Sequence, residues 1–285
     1  MRAGLFPGQG LDARAVGDAL PADHRLLARA NEVLGYDLRQ AVRKAPRAKL
    51  RTRVAQPAIM VAGLISYQRA VSEGRRYHYL AGHSLGEYTA LVASGAIRFR
   101  DGVGLVAERA AAMEKAARVA PGGMAVILGL DVIEVEGLAA RTGVTVANDN
   151  SPVQVVVAGT EDSLARVATL AQAVGARCIR LSVEGPFHSK AMEKARDALD
   201  DALTQTEIRL PRVPVVANAT ARPYRIPGEI RKLLAQQLTG RVRFRESIEW
   251  LAAAGVKDFE DLGPSRVVEG IARATTSRLS AVVDA

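Results

Sequence analysis

The sequence predicts an α/β fold in two parts: a larger domain of residues 1–121 and 185–285, and a small domain of residues 122–184 inserted into it. Strand-like and helix-like segments alternate along most of the chain, which is typical of a sheet covered by helices. From residue 122 the segments follow the order β-α-β-β-α-β, which is the ferredoxin-like order. After Gly185-Pro186-Phe187 the helical segments return.

The first part of the larger domain combines short apolar strands with longer helices. The strand at residues 4–6 stops at Pro7-Gly8, because these two residue types interrupt regular structure. A second strand, residues 77–81, leads into Gly82-His83-Ser84-Leu85-Gly86. Apolar residues at helical spacing predict four helices, at residues 22–34, 55–71, 87–94 and 102–119.

The small domain shows shorter elements. Its predicted strands are residues 124–129, 144–147, 153–158 and 177–183, and its predicted helices are residues 132–141 and 161–174. Residues 148–152 (Asn-Asp-Asn-Ser-Pro) are rich in turn formers and predict the connection between the second and third strands. The larger domain then continues with a predicted helix at residues 189–204 and a predicted strand at 213–217. A helix that ends at residue 238, a helix at 244–254 and a last strand at 258–261 follow.

Composition excludes several classes of protein. The chain has 285 residues, of which 48% are hydrophobic and 24% charged, which excludes a disordered chain and suffices for a large core. It contains no run of 18 apolar residues and no apolar stretch of a signal peptide near residue 1. The one cysteine, Cys178, excludes an intrachain disulfide. We therefore expect a soluble cytoplasmic protein without membrane association.

The net charge is +9, and basic residues are densest between Arg39 and Arg53, where Arg47 and Lys49 contribute. A nucleic-acid site would interleave aromatic residues for stacking, and this stretch has none, so we expect no nucleic-acid partner. Two interpretations stay open. The stretch is a solvated face of helix and loop, or its field attracts an acidic protein or a phosphorylated ligand.

The strongest local signal is the G-x-S-x-G sequence of residues 82–86. It lies between a predicted strand and a predicted helix, which is the context of a nucleophile elbow. The glycines allow a sharp turn with Ser84 at its tip. The N-terminus of the following helix offers free N–H groups to a developing oxyanion. We predict that Ser84 is a catalytic nucleophile.

A serine nucleophile needs a base, and the chain has four histidines. We expect a solvated or capping role for His24 and a satisfied core or edge position for His78. His83 adjoins Ser84, but adjacent residues on a sharp turn point apart. His188 follows the junction where the small domain returns to the larger one, and a junction that faces a cleft suits a base. We therefore predict His188.

The third member of a triad is less clear from the residues. α/β-Hydrolases place an acidic residue between the serine and the histidine in chain order. Four candidates lie there, but none follows a strand in the expected way: Asp149, Glu161, Asp162 and Glu184. The alternative is a dyad in which a backbone carbonyl orients the histidine.

The sequence resembles the malonyl-CoA:acyl carrier protein transacylases, the acyltransferase family that loads malonyl units in fatty acid and polyketide synthesis. The resemblance runs almost from end to end and implies an α/β-hydrolase-like large domain with a parallel sheet and an inserted ferredoxin-like domain. It rests on residues 6–10 (FPGQG), 55–59 (AQPAI), 82–88 (GHSLGEY), Arg109, 150–152 with 154–156, 185–189 (GPFHS) and 262–264 (LGP).

The resemblance implies a role for several residues. Ser84 would attack a thioester carbonyl and His188 would take its proton. The backbone N–H groups of Gln9 and Leu85 would form the oxyanion hole. Gln237 matches a family glutamine whose main-chain carbonyl orients the histidine, and this would explain why no acidic triad member is evident.

The substrate class follows from Arg109, which stands 25 positions after Ser84. A guanidinium holds a carboxylate through two parallel hydrogen bonds, so a malonyl group is favoured over acetyl. We expect Gln56, Phe187 and Asn150 to line the acyl pocket, with Phe187 leaving little room for an α-methyl group. The resemblance further implies malonyl-CoA as substrate, an acidic acyl carrier protein as partner, a monomer, and neither a metal nor a resident cofactor.

Several alternatives stay open. Within the same fold, the chain could be the malonyl transferase subunit of a malonate decarboxylase or a trans-acting acyltransferase of a polyketide pathway. It could also be a thioester hydrolase that clears misloaded carrier proteins, although such a hydrolase gains nothing from the Arg109 clamp. A basic binding protein without catalysis is disfavoured by the combination of Ser84, His188 and Arg109.

Overall fold

The computed structural model describes residues 1–45 and 50–283, so Arg47 and Lys49 of the basic stretch lie outside the described residues. The strands β1 to β10 are Arg2–Phe6, Tyr79–Gly82, Gly123–Leu128, Thr145–Ser151, Gln154–Gly159, Arg177–Arg180, Val215–Ala217, Arg222–Pro223, Val242–Arg243 and Asp258–Asp261. The helices α1 to α12 are Ala13–Asp18, Arg25–Leu34, Leu38–Lys44, Thr52–Ser72, Leu85–Ala93, Phe99–Val119, Val132–Thr142, Glu161–Ala173, Glu193–Gln205, Pro227–Thr239, Phe244–Ala253 and Val267–Val283.

The larger sheet has the strand order β10-β1-β2-β7-β8, with parallel pairing except between β7 and β8. Its central strands are buried on both faces, which explains why their sequences are short apolar runs and do not alternate between apolar and polar residues. Phe6 and Leu80 pack into the cluster that contains α4, α5 and α6. Leu5 and Ala81 pack into a second cluster with α11 and α12. The sheet therefore lies between two layers of helices, as an α/β fold requires.

The smaller sheet has the order β6-β3-β5-β4-β9. Strands β3 to β6 pair antiparallel and follow the predicted β-α-β-β-α-β order with α7 and α8. Alternate residues such as Ile127 and Val157 form a core with these two helices. Their neighbours Val126 and Val156 belong to the opposite face, which is turned toward the larger part of the molecule. The α/β class predicted from the sequence is confirmed.

The structure differs from the sequence prediction at several elements. Residues 148–151 continue β4 instead of forming a turn, and they are buried. Asp149 pairs there with Arg245 of α11, a contact between residues 96 positions apart that local sequence cannot show. The strand predicted at residues 177–183 ends at Arg180. The elements α1, α12, β8 and β9 are not predicted from the sequence, and α3 lies in the basic stretch, for which a face of helix and loop is one of the two interpretations. Within the described ranges, no helix is long and apolar enough to cross a membrane.

The turn between β2 and α5 depends on two glycines that have no space for a side chain. A Cβ atom at Gly82 would lie 1.9 Å from the carbonyl carbon of Gly86, and one at Gly86 would lie 2.1 Å from the carbonyl oxygen of Phe6. Both neighbours are backbone atoms and cannot move aside alone. These contacts hold the start of α5 directly against the end of β1, and they place Ser84 at the tip of the turn.

We expect Gly86→Ala to lower the free energy of unfolding by about 1–3 kcal/mol or more, because the added methyl group overlaps the backbone of β1. Urea titration measures the loss. Gly137→Ala in α7 is the matched control, since apart from its chain neighbours and the backbone of its own helix no described atom lies within 4 Å of its Cβ position. There alanine should leave stability unchanged or raise it by up to about 1 kcal/mol. Equal stabilities of the two variants would contradict this account of the turn.

Candidate active site

A cavity of about 320 Å³ lies between the two sheets. Ser84 and His188 line it where β2 ends, together with His83. Six residues of the smaller sheet form part of the opposite wall: Met124, Val126, Asn148, Asn150, Gln154 and Val156. The cavity therefore brings both parts of the fold to one place, and a ligand inside it would contact both.

Ser84 occupies a strained position. Its φ is +52° with ψ −105°, a region that costs an L-residue on the order of 1–3 kcal/mol. Asn218, directly after β7, holds the turn in this conformation. Its Oδ1 accepts a hydrogen bond from the Ser84 backbone N–H at 2.8 Å, and its Nδ2 donates to the Gly82 carbonyl at 2.7 Å. The hydroxyl of Ser84 is thereby fixed at the cavity wall.

His188 lies between Ser84 and Gln237. The Gln237 main-chain carbonyl oxygen is 2.8 Å from Nδ1, and a carbonyl only accepts, so Nδ1 carries the proton and donates. Nε2 is then unprotonated and accepts from the Ser84 hydroxyl at 2.8 Å. Burial, followed by the positive charge of Arg109, lowers the pKa of His188 to about 3. The imidazole is therefore neutral at neutral pH, in the tautomer that a base needs.

Arg109 on α6 is fully buried next to the same serine. Its Nη1 donates to Gln56 Oε1 at 2.7 Å, and its Nη2 is 3.1 Å from both Ser84 Oγ and Gln237 Oε1. The guanidinium carbon lies 5.1 Å from the centroid of the Tyr88 ring. Nε has no hydrogen-bond partner among the described residues. Burial lowers the pKa of Arg109. Because Nε has no described partner, the guanidinium can still donate a hydrogen bond to a further acceptor.

Glu87 is a buried carboxyl group that sequence reasoning did not single out. Its Oε1 accepts from the Tyr224 hydroxyl and from the Asn218 backbone N–H, and its Oε2 accepts from Gln237 Nε2 at 2.5 Å. Burial raises its pKa to about 7, while these hydrogen bonds oppose the shift. The contact fixes the Gln237 amide with Nε2 toward Glu87, which leaves Oε1 for Arg109. Its position three residues after Ser84, one helical turn along α5, was the available signal.

The other candidate bases and acids have different partners. None of the four acidic candidates is a hydrogen-bond partner of His188 in the described chain. Three of them pair elsewhere, Asp149 with Arg245, Glu161 with Arg180, and Glu184 with the backbone N–H of Thr52, and Asp162 is exposed on α8. The remaining histidines are occupied too: His24 caps α2, His78 accepts from the Arg2 N–H, and His83 contacts Asn150 at 2.7 Å. Within the described residues, 1–45 and 50–283, no three His, Cys, Asp or Glu side chains form a group that could hold a metal.

Three of the remaining predicted site residues, Gln9, Asn150 and Phe187, line the cavity, whereas Gln56 and Leu85 are fully buried and are not part of its lining. Gln9 accepts from Gln56 Nε2 at 3.1 Å. Leu85 is the first residue of α5, where backbone N–H groups have no partner within the helix. Phe187 and Asn150 line the cavity directly. An oxyanion hole formed by Gln9 and Leu85 stays a prediction.

Residues 5–280 match the model of the acyl transferase domain family. The chain belongs to the acyl transferase family. Among its relatives is the malonyl CoA-acyl carrier protein transacylase of Bacillus subtilis, 36% identical over 289 residues, with 98% of this chain and 91% of that protein covered. The polyketide biosynthesis protein ThaF of Burkholderia thailandensis is 39% identical over 283 residues. That match covers 96% of this chain but only 24% of ThaF, so the chain spans about a quarter of ThaF's length.

A solved structure extends this similarity to the fold. It is a malonyl-transacylase in complex with a type II polyketide synthase acyl-carrier protein. The TM-score is 0.90 at 34% sequence identity, and the alignment covers 97% of this chain and 93% of that one. The α/β architecture of this acyl transferase is therefore shared along nearly its whole length with a carrier-protein-bound relative.

We expect His188 of this acyl transferase to stay neutral between pH 8 and pH 5, because its native pKa is about 3. Nitrogen-15 NMR of the ring, assigned with His188→Gln, checks this. The unfolded chain protonates His188 near its ordinary pKa of 6.5, whereas the folded chain does not until about 3. Acidification through this window therefore favours unfolding. The opposing contribution of Glu87 is common to both proteins, so His188→Gln should lose less stability on acidification than the wild type. A His188 ring that titrates near pH 6.5 in the folded protein would contradict the assignment.

Proposed function

We propose that this acyl transferase moves a malonyl group from malonyl-CoA to the phosphopantetheine thiol of an acyl carrier protein. The observation that carries the proposal is the fully buried Arg109 guanidinium, whose Nη2 lies 3.1 Å from Ser84 Oγ. A buried cation beside a candidate nucleophile suits an acyl group that ends in a carboxylate. The malonyl transacylases among its relatives support the same substrate.

In the loading step, Ser84 Oγ would attack the thioester carbonyl of malonyl-CoA while His188 Nε2 takes the hydroxyl proton. The negative charge on the carbonyl oxygen would be stabilised by the N–H groups of Gln9 and Leu85. The C–S bond then breaks, and His188 returns the proton to the departing CoA thiolate. The products are CoA and a malonyl ester on Ser84.

The transfer step reverses these roles with a different thiol. His188 would take the proton of the carrier-protein thiol, whose sulfur attacks the ester carbonyl of malonyl-Ser84. The C–O bond breaks, and Ser84 recovers its proton from His188. The thioester supplies the activated acyl group, so neither step requires a metal or a resident cofactor.

Arg109 connects substrate charge to the base. Its positive charge is the second cause of the low pKa of His188. A malonyl carboxylate bound to the guanidinium would neutralise that charge, so the imidazole would accept the Ser84 proton more readily than beside an uncompensated guanidinium. An acetyl group cannot do this, and it would leave the buried guanidinium without an anion. Selectivity for malonyl would thus arise in both binding and proton transfer.

The acyl pocket and the surface charge fit the same reaction. Phe187 is buried directly before His188 and lines the cavity, so we expect it to disfavour an α-methyl branch on the acyl group. Acyl carrier proteins are acidic, and the net charge of +9 would speed their encounter with this chain. We expect the transfer step to slow as ionic strength rises.

Incubation with malonyl-CoA or acetyl-CoA, followed by intact mass measurement, tests the proposal. The wild type should form a malonyl adduct rapidly and an acetyl adduct slowly, and Ser84→Ala should form neither. Arg109→Ala should slow malonyl loading by about 100-fold, which corresponds to about 2.7 kcal/mol. Acetyl loading serves as the internal control and should fall at least about tenfold less, because only malonyl uses the guanidinium as a partner.

Equal loss of both adducts in Arg109→Ala would show that the arginine is structural. Equal adduct yields in the wild type would contradict the malonyl assignment itself. Release of free malonate without transfer to a carrier protein would instead indicate a hydrolase.

A further inference from the structure

Three arginines surround the carboxylate of Glu114, the residue after Met113 of the cavity lining. Arg51 and Arg53 lie at the start of α4, and Arg118 lies in the last turn of α6. Their nearest guanidinium nitrogens are 3.6, 3.7 and 3.8 Å from Glu114 Oε2. Arg51 is also 3.6 Å from Glu184 Oε1. We refer to Arg51, Arg53 and Arg118 as the rim arginines.

The two carboxylates do not use up the hydrogen-bonding capacity of these arginines. Glu114 Oε1 accepts from the Arg53 backbone N–H at 3.1 Å, and Glu184 Oε2 accepts from the Thr52 backbone N–H at 2.7 Å. Both carboxyl groups thus serve the N-terminus of α4. Among the described residues, no rim guanidinium donates a hydrogen bond to another group, since all the ion pairs exceed hydrogen-bond distance.

Charge and exposure are also unbalanced at this place. Three guanidiniums face two carboxylates, which leaves one positive charge in excess. The side chain of Glu114 is only 5% exposed, whereas those of Arg51, Arg53 and Arg118 are 64%, 62% and 72% exposed. The negative charge is therefore covered by protein, and solvent meets the positive groups. A cluster of free, planar donors around one point is suited to an anion with several oxygens.

The rim arginines do not line the cavity themselves, but Arg51 stands between Leu50 and Thr52, which both line it, so we place these arginines at the mouth of the candidate active site. Thr52 lies between Arg51 and Arg53 in the chain, and Glu184 forms an ion pair with Arg51. Both Thr52 and Glu184 line the same cavity as Ser84 and His188. A thioester whose carbonyl reaches Ser84 must leave its carrier portion outside this mouth. In CoA and in a holo carrier protein alike, the flexible arm ends in a phosphate.

We infer that Arg51, Arg53 and Arg118 form a phosphate-binding site at the mouth of the cavity, which holds the thioester carrier while its acyl group reaches Ser84. This inference rests on the proposed function. The phosphate comes either from the phosphopantetheine arm, which CoA and the carrier protein share, or from the nucleotide part of CoA. Both are phosphate esters and satisfy the same guanidinium donors.

Loading kinetics with three thioesters test the site and distinguish the two sources. The probes are malonyl-CoA, malonyl-phosphopantetheine, which lacks the nucleotide, and malonyl-pantetheine, which lacks any phosphate. The variant is Arg51→Gln/Arg53→Gln/Arg118→Gln. We expect its kcat/KM for malonyl-CoA to fall at least about tenfold, while kcat/KM for malonyl-pantetheine stays within about twofold of the wild type.

The matched control is Arg98→Gln. Arg98 immediately precedes the same helix, α6, is 63% exposed and pairs with one carboxylate, Glu207. It lies about 30 Å from Arg118 along that helix. We expect no change with any of the three thioesters. Arg118→Gln alone, which leaves four of the five charged groups in place, should give a smaller loss of the same selectivity if the triple variant folds poorly.

The outcomes separate clearly. Loss with both phosphate-bearing thioesters supports a site for the phosphopantetheine phosphate, and loss with malonyl-CoA alone supports a site for the nucleotide phosphates. Equal loss with malonyl-pantetheine would show a structural role, and no loss with malonyl-CoA would also overturn the inference. If the wild type loaded none of the three thioesters, the proposed function would fail rather than the phosphate site.

Discussion

The complete burial of the Arg109 guanidinium is the constraint on which the rest of the site depends. A buried cation is tolerated only when hydrogen bonds and an opposite charge compensate for the loss of water. Gln56 on α4, Ser84 at the start of α5 and Gln237 on α10 each direct a side-chain oxygen at it. The carboxyl group of Glu87, whose pKa burial raises to about 7, lies one amide group away through Gln237 and supplies only part of an opposite charge. Four helices therefore meet at one side chain, and their mutual positions fix Ser84.

The same network prepares the proposed chemistry. Because Glu87 fixes the Gln237 side chain, α10 is held where its main-chain carbonyl meets His188 Nδ1, and this contact selects the tautomer. Burial keeps the His188 imidazole neutral, and the nearby cation lowers its pKa further. In the proposed reaction, a carboxylate-bearing acyl group would offset the part of this low basicity that the Arg109 charge causes. Substrate recognition and base strength would then be coupled through the charge of Arg109.

Much of this arrangement could be predicted from the sequence, and the reasons are local. The G-x-S-x-G turn needs glycines at contacts with backbone atoms, so it is visible in five consecutive residues. The β-α-β-β-α-β order follows from short-range periodicity. Asn150 and its neighbours were misread as a turn, because the Asp149–Arg245 pairing that holds them in β4 joins distant parts of the chain. The Glu87 network also joins distant parts of the chain, and a lone glutamate on a helix is usually exposed, so the sequence did not indicate it. Its partner Tyr224 lies 137 residues away.

The most direct test of the central claim is a crystal structure of the protein with malonyl bound covalently to Ser84. The account predicts that the malonyl carboxylate lies against the Arg109 guanidinium, with two oxygens within about 3 Å of its nitrogens. It also predicts that Gln56 and Gln237 keep their contacts with the guanidinium. A malonyl ester whose carboxylate points away from Arg109, toward the mouth of the cavity, would contradict the claim that the buried arginine selects the acyl group.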